Sequence, residues 1–240
     1  MRRADPTVLE PQQTLAWYRS GEEHFRAVLD ALSDAELAGP SLLSGWSRQT
    51  VVAHVARNAD GLLNLLDWAR TGVETPMYPS AEARAAGIEQ TAQQTSIQLR
   101  ADYSAASERL ATAFAELPGR AWSAPVRTTQ GRPITAAEVP WMRCRENWVH
   151  TVDLACGAGF DRVPDDVLAA LVDDVLAMWA RRGKSPDLAL VATDVDRRWG
   201  GDAAVTASGR LPDLVAWLTG RAGTGTVNLD GPVPHLPAWL

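Results

Sequence analysis

Apolar positions recur near a 3.6-residue period from Thr7 to Leu32, at Leu15, Tyr18, Phe25, Val28, Leu29 and Leu32 with Glu22 in the same stripe. That spacing predicts a first long helix ending at Ser33-Asp34. Gly39 to Trp46 breaks the pattern, because Pro40 lacks a donor and the glycines are costly in a helix, so this is a connector with Trp46 as its anchor. Ser47 is placed to cap a second helix running to about Arg70, with Val51, Val55, Leu62, Leu65, Leu66 and Ala69 on one face and Gly72 as terminator. Ser80 caps a long third helix that stops before Pro118-Gly119 and has a solvated middle at Gln90 to Gln94. Thr135 and Glu138 have the spacing of a capping box and open a fourth helix to about Ala155, with Pro140 early enough to be tolerated. Four apolar stripes joined by short or medium connections pack most simply as a bundle.

After a break at Gly157 to Pro164 the character changes. Asp165 to Arg181 reads as a fifth helix, Leu188–Ala192, Ala203–Ala207 and Thr226–Leu229 as short strands, and Leu211–Leu218 as a helix between the last two strands. The expected class is α+β, with a helical bundle over residues 1–160 and a smaller α/β domain over 161–240.

A chain of 240 residues accommodates one large or two small domains, and 46% hydrophobic with 22% charged residues excludes a wholly disordered chain. No uncharged apolar run is long enough to span a bilayer, and no apolar secretion segment follows Arg2-Arg3-Ala4-Asp5-Pro6, so a cytoplasmic protein with no membrane partner is expected. A net charge of −6 has the wrong sign for coating nucleic acid. Cys144 and Cys156 form neither a disulfide framework nor a metal knuckle, and neither has a nearby base, so a thiol used in any reaction must come from a small molecule. Phosphate-binding glycine loops and serine elbows are missing. The many tryptophans fall near helix starts or apolar faces, where large rings fill a core. A monomer is compatible with two domains covering each other's faces, although an unassigned tryptophan face would equally support a dimer.

Candidate chemistry concentrates at Glu146 and His150, four apart and so on one helical face, with Asp153 continuing it. Two ligands are too few for a catalytic zinc site, which takes three from the protein and leaves a position open. His54, on an inward-facing position of the second helix, is the natural third. Spacing alone leaves open an ordinary ion pair beside a packed histidine. Asn58, one turn past His54, could touch a cofactor or simply finish a packed stripe, and Asp153 could orient a histidine, pair with an arginine or stand at a solvated helix end. Arg84 and Arg221 are possible carboxylate clamps among many arginines. His24 and His235 read as structural and surface residues.

Three segments carry a resemblance: Ser41-Leu42-Leu43-Ser44-Gly45-Trp46-Ser47-Arg48, Val52-Ala53-His54-Val55-Ala56-Arg57-Asn58-Ala59, and Trp141 through Leu154 around Glu146-Asn147-Trp148-Val149-His150. The sequence resembles the mycothiol-dependent maleylpyruvate isomerases of the DinB-like superfamily, and the likeness continues through Thr71–Tyr78, Gln130-Gly131-Arg132 and Gly220-Arg221 to Trp239-Leu240. It implies a DinB-like bundle, a C-terminal domain similar to sterol-carrier modules, and zinc or another divalent metal on His54, Glu146 and His150. It also implies active-site roles for Arg221 and Arg84. The implied reaction turns maleylpyruvate, a small dicarboxylate, into fumarylpyruvate during gentisate breakdown: mycothiol adds to the cis alkene, the resulting single bond rotates, and the thiol leaves. The alternatives are a DinB-like mycothiol S-transferase using the same metal site on another electrophile, or a non-catalytic ligand-binding protein.

Overall fold

In the computed structural model, which describes residues 10–239, the first predicted stripe becomes α1 (Pro11–Ala31) and buries Trp17, Tyr18, Gly21, Glu22, Phe25 and Leu29. Pro11 opens the helix, where its missing donor is not needed; Thr7–Leu9 of the predicted helix lie outside the described residues, as do the Arg2–Pro6 start and Leu240. A single turn, α2 (Asp34–Leu37), follows on a reciprocal Ser33–Glu36 capping box. In α3 (Arg48–Thr71) both ends fall where the sequence places them. Ser47 Oγ accepts from Thr50 N, and Gly72 takes the left-handed conformation at φ 76° while its N–H donates to Trp68 O.

Two predicted helix boundaries are corrected. The long third helix is two, α4 (Ala81–Ala92) and α5 (Ser96–Glu116), because Thr95 and Gln98 exchange side-chain and backbone hydrogen bonds and start a new helix. The Thr135–Glu138 box does not form. Thr135 belongs to a hairpin of β1 (Pro125–Arg127) and β2 (Pro133–Thr135), and Glu138 pairs with Arg132 at 3.0 Å. A 3₁₀ turn then leads into α6 (Val139–Asp153).

The helical unit is built from α1 along α6 and from α3 against α4, α5 and α6. Phe25, Leu29, Leu37, Val51, Val52, Val55, Leu99, Tyr103 and Leu154 form one apolar cluster. Close approach of α1 to α6 depends on Gly21: a Cβ there would lie 2.8 Å from Trp148 Nε1, inside contact distance for a ring that is itself buried.

Glu22 is the exception in the α1 stripe. One carboxylate oxygen accepts from Tyr103 OH (2.5 Å) and Ser107 Oγ (2.6 Å), the other from Asn147 Nδ2 (2.8 Å) and Arg143 Nε (3.1 Å). Burial by itself would raise the Glu22 pKa, but the Arg143 charge and these donors outweigh it and hold the carboxyl at about 2.

The division between the two compact units falls between Gly157 and Ala158. The second unit contains α7 (Asp165–Arg181), β3 (Leu188–Ala192), β4 (Arg197–Trp199), β5 (Val205–Gly209), α8 (Leu211–Leu218) and β6 (Asn228–Leu229). Its four-stranded sheet has the order β4-β3-β5-β6, with β3 and β5 parallel (Leu188 opposite Val205) and both edges antiparallel. Asp194, in the β3–β4 turn, caps α8 by accepting from Leu211 N, and Trp199 Nε1 donates to Asp173 on α7. β4 is absent from the sequence reading because Arg197 and Arg198 are exposed on an edge, where charge replaces apolar alternation. The architecture is therefore α+β, a helical bundle and a mixed-sheet unit. Among the described residues no helix is long and apolar enough to cross a membrane.

Candidate metal centre

His54 sits on α3 and Glu146 and His150 on successive turns of α6, and the packing of these two helices brings the three side chains together. Glu146 Oε2 lies 3.0 Å from His54 Nε2 and 3.3 Å from His150 Nε2, and one ligand atom from each residue falls within 4.8 Å of the others. Neighbouring ligands held about 2.1 Å from a tetrahedral zinc are about 3.4 Å apart, so the two short separations suit a shared cation. The imidazole planes are perpendicular, with centroids 4.7 Å apart. Two imidazoles and one carboxylate are a donor set that fits zinc and leaves a coordination position for a ligand.

The surroundings orient each ring. Asp153, fully buried one turn beyond His150, takes a 2.9 Å bond from His150 Nδ1 and so turns Nε2 toward Glu146. The connector holds this end of α6: Leu42 N donates to Asp153 O, and the Arg48 guanidinium donates to Leu154 O and Ala155 O. Trp46 meets the His54 ring edge to face at 5.6 Å. On its other side, His54 Nδ1 lies 3.3 Å from Arg84 Nη2.

Protonation differs between the two histidines. Burial drives the His54 pKa down and prevails over the pull of Glu146. Burial opposes charge on His150 as well, but hydrogen bonds and charge from Asp153 and Glu146 prevail and raise it to about 9. Burial would raise the Glu146 pKa, yet the two imidazoles hold it well below the usual carboxylate range. A metal that binds His150 must therefore displace its proton. The apparent dissociation constant for zinc should fall about tenfold per pH unit between roughly pH 6 and 8, as one proton is released per ion. Chelator competition at several pH values measures this, and a flat profile would contradict a protonated His150.

The other nominated residues are placed differently. Arg84, on α4, joins the cluster through its contact with His54. Asn58 is buried one turn after His54, and its Oδ1 accepts from Arg143 at 3.2 Å. Arg221 belongs to the second unit, half-buried on the left-handed turn after α8, where its Nη1 donates to Thr219 O at 2.6 Å. Tyr78 closes the Thr71–Tyr78 stretch that carries the family likeness, in the loop leading to Arg84. Its ring lies 5.7 Å from the Arg84 guanidinium carbon and against Gly61 of α3, where an added Cβ would come within 3.1 Å of it. No sequence period marks a loop tyrosine of this kind; family likeness points to its loop, and the fold adds its proximity to Arg84.

Comparison with known proteins agrees with this geometry. No match is found among curated proteins. Two solved structures, described as the crystal structure of the mycothiol-dependent maleylpyruvate isomerase and that of a histidine-to-alanine mutant of it, each superpose with a TM-score of 0.90. Each is 36% identical over 99% of this chain and 100% of the other. Residues 11–155, more than half of the chain and including all three clustered side chains, match the family described as the mycothiol maleylpyruvate isomerase N-terminal domain, and the chain belongs to that family.

Proposed function

We propose that this protein is a mycothiol-dependent maleylpyruvate isomerase of gentisate breakdown, working at a zinc or similar divalent ion held by His54, Glu146 and His150. The observation that carries the reading is the meeting of these three side chains from two helices, in a chain similar over nearly its whole length to a protein described as that isomerase. When bound, the ion supplies positive charge that stabilises a thiolate, and mycothiol supplies the sulfur whose reversible addition makes a double bond rotatable.

The chain's own residues hold and orient. His150 is kept in one orientation by Asp153. Arg84 can donate to His54 Nδ1 only while that nitrogen is unprotonated; were His54 to hold a metal through its other nitrogen, its ring proton would sit on Nδ1 and the guanidinium would be free for a substrate carboxylate. Arg221 is assigned to the other carboxylate or to the oxyanion that develops on the ketone. For the second unit, similarity to sterol-carrier modules remains part of this proposal.

Incubation of the zinc-loaded protein with maleylpyruvate, with and without mycothiol, while fumarylpyruvate is followed, tests the substrate, the reaction and the thiol together. Isomerisation regenerates all the thiol. Stoichiometric loss of thiol into a stable adduct would instead identify an S-transferase, and binding without turnover a ligand-binding protein. Arg221→Ala should lower kcat/KM for maleylpyruvate by about 10²-fold with zinc content unchanged, since a charged clamp on substrate is lost. Unchanged kcat and KM would remove Arg221 from the site.

A further inference from the structure

We infer that the buried Glu22–Arg143 pair is a positioning device for the metal centre, fixing the register of α6 against α3 and with it the separation of His54 from Glu146 and His150. The inference rests on the metal-centre reading above. Arg143 is fully buried and precedes Glu146 by one turn of α6. Its guanidinium reaches three ways, one of them through Nη2 to Ser107 Oγ on α5 at 3.2 Å. Toward α1 it donates to Glu22, and toward α3 its Nη1 donates to Val55 O at 2.6 Å and to Asn58 Oδ1 at 3.2 Å. Val55 is the residue after His54 and Asn58 lies one turn on. Asn147, the residue after Glu146, donates to the same Glu22 oxygen as Arg143 Nε, while Tyr103 and Ser107 hold the other oxygen from α5. One carboxylate and one guanidinium thus tie both ligand-bearing helices to the rest of the bundle.

Stability alone does not account for this arrangement. Charges removed from water gain little net stability over well-packed apolar groups of similar size, and α1 already has Tyr18 and Phe25 to either side. A planar fork does something apolar contact does not: it fixes direction, so α6 cannot slide or rotate on α3 without breaking charged hydrogen bonds. A metal site needs that precision, because ligand distances tolerate only about 0.2 Å. Arg48 anchors the C-terminal end of α6 through Leu154 and Ala155, and Arg143 anchors the turn carrying Glu146.

The test separates register from stability. In the full chain, Glu22→Gln with Arg143→Met removes both charges, while the carboxamide introduced on α1 still accepts from Tyr103 and Ser107 through its oxygen. Asn147 Oδ1, a buried atom that accepts no hydrogen bond among the described residues, can then turn to accept from the new amide N–H. The expected result is a Tm close to the parent's, with the zinc dissociation constant weakened at least tenfold and the visible absorption of the Co(II)-substituted protein altered. A parental zinc constant and Co(II) spectrum would overturn the inference. Should the double variant fail to fold, Arg143→Lys decides. It keeps a charge for Glu22 but gathers its donors on one nitrogen and loses the fork whose separate nitrogens reach Glu22 and α3, and parental zinc affinity in that folded variant would equally overturn the inference. If the parent protein itself takes up no zinc, the metal-centre reading fails rather than this one.

Discussion

His54→Ala is expected to lose zinc and isomerisation together. Of the three clustered ligands His54 alone stands on α3, so its loss leaves two on α6, too few to retain a divalent ion against water and buffer. Zinc affinity should weaken by at least about 10²-fold, and turnover by about 10³-fold or more, the rate equivalent of the several kcal/mol a metal contributes. Metal analysis of untagged protein after zinc reconstitution gives the first number, and fumarylpyruvate formation the second. Full turnover by demetallated parent protein would dismiss a metal-centred mechanism even if the variant were inactive, since the fault would then lie in the lost ring contact between His54 and Trp46.

The largest stability effect is expected from breaking the Glu22–Arg143 pair on one side only. Glu22→Leu leaves a fully buried guanidinium without its counter-charge, and a cost of about 3–5 kcal/mol in denaturant unfolding should result. Its acid dependence follows from the depressed Glu22 carboxyl, at about 2 when folded against 4.5 ordinarily. Because the folded value is the lower one, the stabilisation is complete above about pH 4.5 and disappears as pH falls toward 2, amounting to about 3 kcal/mol. Glu22→Leu should flatten that part of the stability–pH curve. A variant with parental stability and an unchanged acid limb would show that the pair contributes nothing.

Much of the bundle was legible because local chemistry and packing agree. Ser47, Gly72 and Ser80 end or begin helices through hydrogen bonds their own residue types make possible. Boundaries failed where two signals competed. Thr95 and Gln98 carried a capping-box spacing that was overshadowed by the helical pattern on either side, whereas the similar Thr135–Glu138 spacing was defeated by strand pairing and by Arg132. At the site, spacing places Glu146 and His150 on one face, and the inward-facing position of His54 nominates it as the third ligand. That the three meet depends on the α3–α6 contact, for which family resemblance was the stronger signal. Glu22 looked like a member of an apolar stripe, and nothing local reveals that its partner stands on α6, far along the chain.

Because the α1 backbone lies flush against the indole of Trp148, side chains at positions 21 and 148 compete for the same space. A lineage that acquires alanine or serine at the first must shrink or turn the aromatic group at the second, or accept a wider gap between the two helices. Coupled drift at this pair, seen across divergent sequences, would trace how far natural selection has let the bundle breathe.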